Sequence, residues 1–317
     1  MTVNHDCDDS DASFDAAKRV LCCIHKEADI PEVEAVIKLV LPSVDFYWKR
    51  IAMESVRDIE AQLDSFDAAL AAAEPGEKDE LLRDLILALL ASLRRRLQAP
   101  ISPAGTALVR RSASSLMLDG AKALALPLDL ALAPRLLPAA EADLLTLIRG
   151  RVELREQEIR AALRGLISQA ELLGAPVARD VWRQRLLREL GVETGSWLPF
   201  VVDQWAYRWF NIGGVVAARQ GGVLALVAVA ILDAKTSNFC RWVNGRVISM
   251  ERAQRQIDRH VSAALAGDVR AIMANWPLLT FEPTDGPAEF ELKFATVGLP
   301  PYHGHCRTRT KLLRLRD

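Results

Sequence analysis

Apolar residues recur at helical spacing through most of the chain, with charged residues between them. The stretch from residue 31 to about 73 reads as a long helix, in which Phe46, Ile51, Val56, Ile59 and Leu63 fall roughly at helical spacing with Arg and Glu between them. Pro42 is expected to break or kink it, because proline removes a backbone donor and crowds the preceding turn. Upstream, residues 11–28 read as a helix carrying Cys22, Cys23 and His25. Pro75-Gly76 is a turn signal. It precedes a helix over 77–98, with Glu77, Asp79 and Glu80 early and Arg94, Arg95 and Arg96 late, the polarity a helix dipole favours. Pro100, Pro103, Pro127, Pro134 and Pro138 predict short helices and loops over 99–140. One long helix is expected over 139–173 and a shorter one over 175–190, each stopped by a glycine, Gly174 and Gly191.

The pattern changes near residue 195, where tryptophans begin to gather: Trp197, Trp205, Trp209, Trp242 and Trp276. A helix is predicted over 199–220, burying Trp205, Trp209, Ile212 and Val216 and placing Gln204, Arg208, Asn211 and Arg219 on another face. Gly213-Gly214 inside it, costly to helix stability, implies close packing. Residues 223–232 form a continuous apolar run bounded by turn signals, as in a strand buried on both faces. Thr236 or Ser237 is placed to cap a short helix over 238–243 that carries Cys240. Asn244-Gly245 marks a tight turn before a short strand at 246–249. A helix is expected over 251–274, with Ile257, Val261, Leu265 and Ile272 inward. Residues 290–297 alternate apolar and polar and read as a strand. The alternation in 306–315 puts Arg307, Arg309 and Lys311 on one strand face. The fold class is therefore α+β: a mostly helical N-terminal region, 1–195, followed by a small α+β domain, 196–317.

Hydrophobic residues make up 50% and charged residues 26%, the balance of a soluble globular protein, and the net charge of −1 gives no global attraction to nucleic acid. The most apolar runs, 85–93 and 223–232, fall well short of the roughly 20 residues that span a bilayer, so no membrane partner is expected. An acidic start, Asp6 and Asp8-Asp9, is unlike a secretory leader, and five cysteines in a chain of 317 residues do not make a disulfide framework. A cytoplasmic site of synthesis is expected.

The chemistry-bearing residues concentrate in two stretches. One is Asp233-Ala-Lys-Thr236-Ser237-Asn-Phe-Cys240, followed by Gly245; the other is Pro300-Pro301-Tyr302-His303-Gly304-His305-Cys306-Arg307. If the fold joins them, three readings are open. Cys240, His303 and Cys306, with His305 or Asp233, could ligate zinc. The same residues could form a packed polar core, with a cysteine pair near enough to oxidise. Cys240 could also be a nucleophile, with His303 as base and Asp233 orienting it. Arg307, Arg309 and Lys311 would either guard a strand edge against aggregation or meet DNA phosphates.

These residues resemble the phage Mu F-like minor head protein family, also known as the SPP1 gp7-type head morphogenesis family. The resemblance rests on Asn211 with Gly213, the apolar strand, Asp233, Thr236, Ser237, Cys240 and Gly245, then Pro300, Pro301, His303, Cys306 and Arg307. It covers about residues 200–310. It departs from the family pattern in Asp233-Ala234-Lys235, where an arginine usually follows the aspartate, and in the stretch from Glu251 to Pro300, which reads as helical where the family often has an extended segment; after the closing Cys-Arg, where the family often has Cys or Thr, stands Thr308. The resemblance implies a minor capsid protein acting in head assembly or DNA ejection. Its partners would be a portal protein and a major capsid or scaffold protein, with packaged DNA nearby. It would be found in the host cytoplasm during assembly and then in the virion, inside the capsid or at the portal vertex. It also implies an alternative, since domains of this type carry phage-delivered toxins. No hydrolytic activity of the chain's own is expected, the cluster instead holding the C-terminal domain together.

Overall fold

The computed structural model describes residues 30–99, 101–173, 177–192, 197–233, 236–276, 285–303 and 306–313. The helix expected at 11–28, with Cys22, Cys23 and His25, lies outside these residues, as does His305. Helix α1 spans Pro31–Ala72 and runs uninterrupted through Pro42. Its inward seam passes through Val40, Val44, Tyr47, Trp48 and Ile51, which leaves Phe46 72% exposed, against the expectation that it faces inward. Helix α2, Pro75–Arg96, opens with a capping box in which the Glu77 carboxylate accepts the Glu74 N–H at 3.0 Å.

Residues 99–140 are not the broken segment that their prolines suggested. They contain a helix of 20 residues, α3, Pro103–Lys122. Pro103 sits at the first helical position, where its missing N–H costs nothing, and the Ser102 hydroxyl accepts the Gly105 N–H at 3.2 Å. The single helix expected over 139–173 is two, α4 (Leu136–Leu154) and α5 (Glu156–Leu173), parted at Arg155. The break re-aims α5 so that it packs on α2 and on α6, Arg179–Glu189.

Helix α7, Leu198–Gln220, is the centre of the molecule. It packs most extensively against α3, and also against α1 and α4. Trp205, Trp209, Ile212 and Val216 are buried as expected, but so are Gln204, Arg208 and Asn211 from the supposed polar face; Arg219 is exposed. The crossing with α3 is built on glycine. A Cβ on Gly213 would lie 2.2 Å from the Met117 backbone, and one on Gly120 would lie 1.9 Å from the Phe210 carbonyl oxygen.

After α7 the chain forms a three-stranded antiparallel sheet in the order β2-β1-β3. The strands are β1 (Ala225–Val229), β2 (Val247–Ser249) and β3 (Arg309–Leu312). The central strand pairs Val227 with Val247 on one side and with Lys311 on the other. Helix α8, Asn238–Val243, fills the β1–β2 connection, and Gly245, with φ of 86°, allows the turn that follows it. The helix expected over 251–274 is divided by Gly267 in the left-handed conformation into α9 (Met250–Ala266) and α10 (Val269–Asn275), the second capped by Asp268. Leu265, expected inward, is 41% exposed.

The strand expected at 290–297 is instead helix α11, Pro287–Val297. Phe290, Phe294 and Val297 form its buried stripe at helical spacing, whereas Leu292, which alternation would bury, is 70% exposed. Pro287 at the first position and the Glu289 carboxylate accepting the Gly286 N–H at 3.0 Å start the helix, and these local signals outweigh the alternation. The result is a mostly helical chain with one small antiparallel sheet, and its apolar core runs continuously from α1 to the C-terminal loop and strand. Among the described residues no helix is long and apolar enough to cross a membrane.

Candidate functional site

The site forms where the β1–α8 turn meets the loop that enters β3. Strand β1 ends before Asp233, and the turn closes on itself: the Asp233 N–H donates to the Thr236 hydroxyl at 2.8 Å, and the Thr236 N–H donates to the Asp233 carbonyl at 3.2 Å. Arg241 reaches back to the Asp233 carbonyl. Of the two candidate caps, Ser237 is the N-cap of α8, its hydroxyl accepting the Cys240 N–H at 3.2 Å. Thr236 serves the turn instead. Beyond α8, the Asn244 side-chain oxygen accepts the Ala230 N–H at 2.9 Å and secures the end of β1.

The second stretch is laid against this turn by its own anchors. The Pro300–Pro301 bond is cis, and the Pro301 carbonyl accepts the indole N–H of Trp276 at 3.1 Å. The Tyr302 ring is buried against Phe239 of α8, with ring centres 5.2 Å apart, and its hydroxyl donates to the Gly298 carbonyl at 3.0 Å. Gln204 of α7 donates to the His303 carbonyl at 2.8 Å. Asn211 of α7 accepts the Thr310 N–H of β3 at 3.0 Å.

These anchors bring Cys240, His303 and Cys306 together, with one potential ligand atom from each inside a 4.8 Å cluster. Cys240 Sγ lies 3.0 Å from His303 Nε2 and 3.8 Å from Cys306 Sγ. The Thr308 hydroxyl donates to Cys240 Sγ at 3.2 Å, and the Ser237 hydroxyl is 3.0 Å from His303 Nε2. Both cysteines are free thiols and buried, whereas His303 is half-buried. Asp233 does not join the cluster through its carboxylate; it forms an ion pair with Arg307 at 2.6 Å across the same junction.

The two thiols titrate apart. The hydrogen bond from Cys306 pulls the Cys240 thiol down from its ordinary value of 9.0 to about 7. Burial opposes this, and the Ser237 and Thr308 hydroxyls and the Arg307 charge add to it. Burial and the neighbouring Cys240 push Cys306 well up. Of the two sulfurs Cys240 is the one that ionises first, with Cys306 held protonated as its donor.

The three cations expected on one face are used differently. Arg307 is paired with Asp233, Arg309 is 9% exposed, and Lys311 is half-buried in β3. They do not form an exposed basic stripe.

Sequence reasoning missed three contributors. Thr308 stood only as the residue after the closing Cys-Arg, Gln204 only as part of a polar helix face, and Tyr302 only as a spacer. Signal existed for Thr308: the sequence reads 306–315 as a strand, in which Thr308, two residues beyond Cys306, shares its side. It also missed a second buried polar cluster. Asp143 of α4 pairs with Arg208 of α7 at 3.1 Å and accepts the Trp209 indole N–H at 2.9 Å; His260 Nε2 of α9 lies 3.2 Å away. The Arg208 guanidinium lies 5.0 Å from the centre of the Trp276 ring. Comparison of the chain with protein-family models, curated proteins and solved structures gives no match.

Proposed function

We propose that this chain is a phage minor head protein acting in head assembly or DNA ejection, with the Asp233–Arg307 junction as a structural clasp. One observation supports the reading more than any other. The two stretches that carry the family resemblance close on each other through Cys240, His303, Cys306 and the Asp233–Arg307 ion pair. Each resemblance residue also has a bracing part to play: Ser237 as cap, Gly245 in the turn, Asn211 between α7 and β3, and Gly213 at the helix crossing. Portal and major capsid or scaffold proteins are the proposed partners, and the virion interior or portal vertex the proposed destination. The test starts from the neighbouring genes: portal and capsid or scaffold genes beside this one are expected, and heads are then produced from them with and without this chain. Mass spectrometry of purified particles is expected to find the chain at a few copies per head, and heads lacking it are expected to be malformed or non-infectious. Exclusion of the chain from particles that mature normally would overturn the reading.

A second reading has one specific support. The Cys240 thiol, pulled down to about 7 and 3.0 Å from His303 Nε2, has the partners of an activated nucleophile, which suits a phage-delivered toxin or a Cys/His enzyme. Against it, Cys240 is 3% exposed, and a nucleophile must reach its substrate. Expression in a host separates the two readings. Toxicity lost in Cys240→Ser, with the melting temperature unchanged, supports the enzyme; growth unaffected by the wild type supports the clasp.

A further inference from the structure

We infer that Cys240, His303 and Cys306 form a binding site for a tetrahedral transition-metal ion, zinc by the chemistry of its donors, which staples α8 to the loop entering β3. The inference goes beyond the head-protein reading and holds whether or not that reading does.

The donor set points to the metal first. Two thiols and an imidazole are the ligands zinc prefers, and His303 and Cys306 are spaced as a pair that one loop can present. The spacing of the sulfurs points the same way. Two sulfurs bound to one ion at about 2.3 Å with tetrahedral angles lie about 3.8 Å apart. Cys240 Sγ and Cys306 Sγ are 3.8 Å apart. A disulfide would need them at about 2.05 Å, so the pair sits at metal-sharing rather than bonding distance.

The surroundings of the sulfurs agree. Cys240 Sγ receives the Thr308 hydroxyl, and Cys306 Sγ receives the Tyr302 backbone N–H. Donors aimed at sulfur stabilise the deprotonated ligands that a metal requires and orient them. His303 is fixed from behind, its carbonyl held by Gln204. Its Nε2 faces Cys240 at 3.0 Å, closer than two ligands of one ion sit, so binding draws the ring back from the thiol and from Ser237. The Cys306 proton, and any still held by Cys240, is released to solvent as the ion enters. Among the described residues the site supplies three ligands, and a fourth is needed to complete the tetrahedron.

The staple would join segments separated by 63 to 66 residues, a long loop for a domain with so small a sheet. The test uses the full chain. The purified protein is expected to contain about one zinc per molecule by elemental analysis. Exchange into cobalt should give the intense visible bands of a four-coordinate site, with thiolate-to-cobalt charge transfer in the near ultraviolet. His303→Gln and Cys306→Ala should each abolish stoichiometric metal. Because either change can also impair folding, Ser237→Ala is the companion variant: it removes the α8 N-cap and the contact to His303 but no ligand, so it loosens the same junction and should keep full stoichiometry. Three results would overturn the inference: wild-type protein that neither carries metal nor takes up cobalt, a Cys240–Cys306 disulfide in freshly purified protein, or His303 and Cys306 variants that keep the metal.

Discussion

Asp143 is the residue whose surroundings state the most about this molecule. It is fully buried, and an isolated buried carboxylate would not stay ionised. Burial pushes its pKa up, but the nearby His260 and Arg208 and the indole N–H of Trp209 outweigh that and hold it below the ordinary carboxylate value. Arg208 supplies the balancing charge. His260 is fully buried too, and burial, only partly offset by Asp143, holds its pKa below 6.5. It therefore stands neutral at neutral pH beside the Asp143–Arg208 pair, packed edge-on against Trp276. The sign of the pH effect follows. For a base with a depressed folded-state pKa, the unfolded chain binds the proton more readily, so stability falls as pH drops below 6.5. For Asp143, whose folded pKa is also depressed, stability is present above 3.8 and is lost as pH falls further, through its folded value. The melting temperature of the wild type should thus decline from about pH 6.5 downward, and His260→Gln should flatten the upper part of that decline. An unaltered slope in the variant would mean that His260 is not the group being titrated. Asp143→Asn should cost about 3–5 kcal/mol, because it strands the Arg208 charge in the core, and denaturant titration reads this directly.

At the scale of elements, the glycines of the α3–α7 crossing make the sharpest claim. Gly120 and Gly213 let two backbones approach to where a methyl group has no room, the nearest atoms being backbone rather than a flexible side chain. Gly213→Ala must push the helices apart and should destabilise by about 2–3 kcal/mol, the upper range for overpacking. Gly165, exposed on α5, is the control, because a Cβ added there would meet nothing within 4 Å: Gly165→Ala should stabilise by about 1 kcal/mol. Thermal melts of both variants test the pair, and equal effects would refute the crossing. Gly120 was not legible in the sequence, but Gly213 was, as half of the costly Gly213-Gly214 pair inside a helix. So were α8, its Ser237 cap and the Asn244-Gly245 turn, because each is set by residues within a few positions. What misled was punctuation. Prolines at 100 and 103 read as disruption, yet Pro103 merely begins α3. Phe290, Leu292 and Phe294 satisfy both strand alternation and a helical stripe, and only Pro287 with Glu289 decides between them. The gathering of Cys240, His303 and Cys306 was legible from residue type. Asp143 was not, since a lone aspartate in a predicted amphipathic helix carries no sign of a partner on another helix.

For the whole molecule, the question is whether the expected division at residues 195/196 separates two folding units. Helix α7 begins just after it, yet α7 is enclosed by α1, α3 and α4 from the N-terminal side and by α9 and β3 from the C-terminal side. Its Trp205 indole donates to the Ala140 carbonyl of α4 at 2.8 Å, and its Arg208 and Trp209 both bind Asp143. A fragment of residues 197–317 would therefore expose Trp205 and Trp209, each a large apolar surface, and would leave Arg208 without its carboxylate. Exposing the two indoles alone forfeits about 3–6 kcal/mol, a large share of a typical domain's 5–15 kcal/mol. The fragment is expected not to fold alone, giving weak near-ultraviolet circular dichroism and a collapsed amide proton spectrum. Co-expression with residues 1–196 should rescue it as a complex, because the interface is the core itself. A protease nick at 193–196 in the intact chain should likewise leave two pieces that co-elute and melt together. A well-dispersed spectrum and a cooperative melt from 197–317 alone would instead make the C-terminal region an independent module. The helices before it would then be a separable attachment rather than half of the site's support.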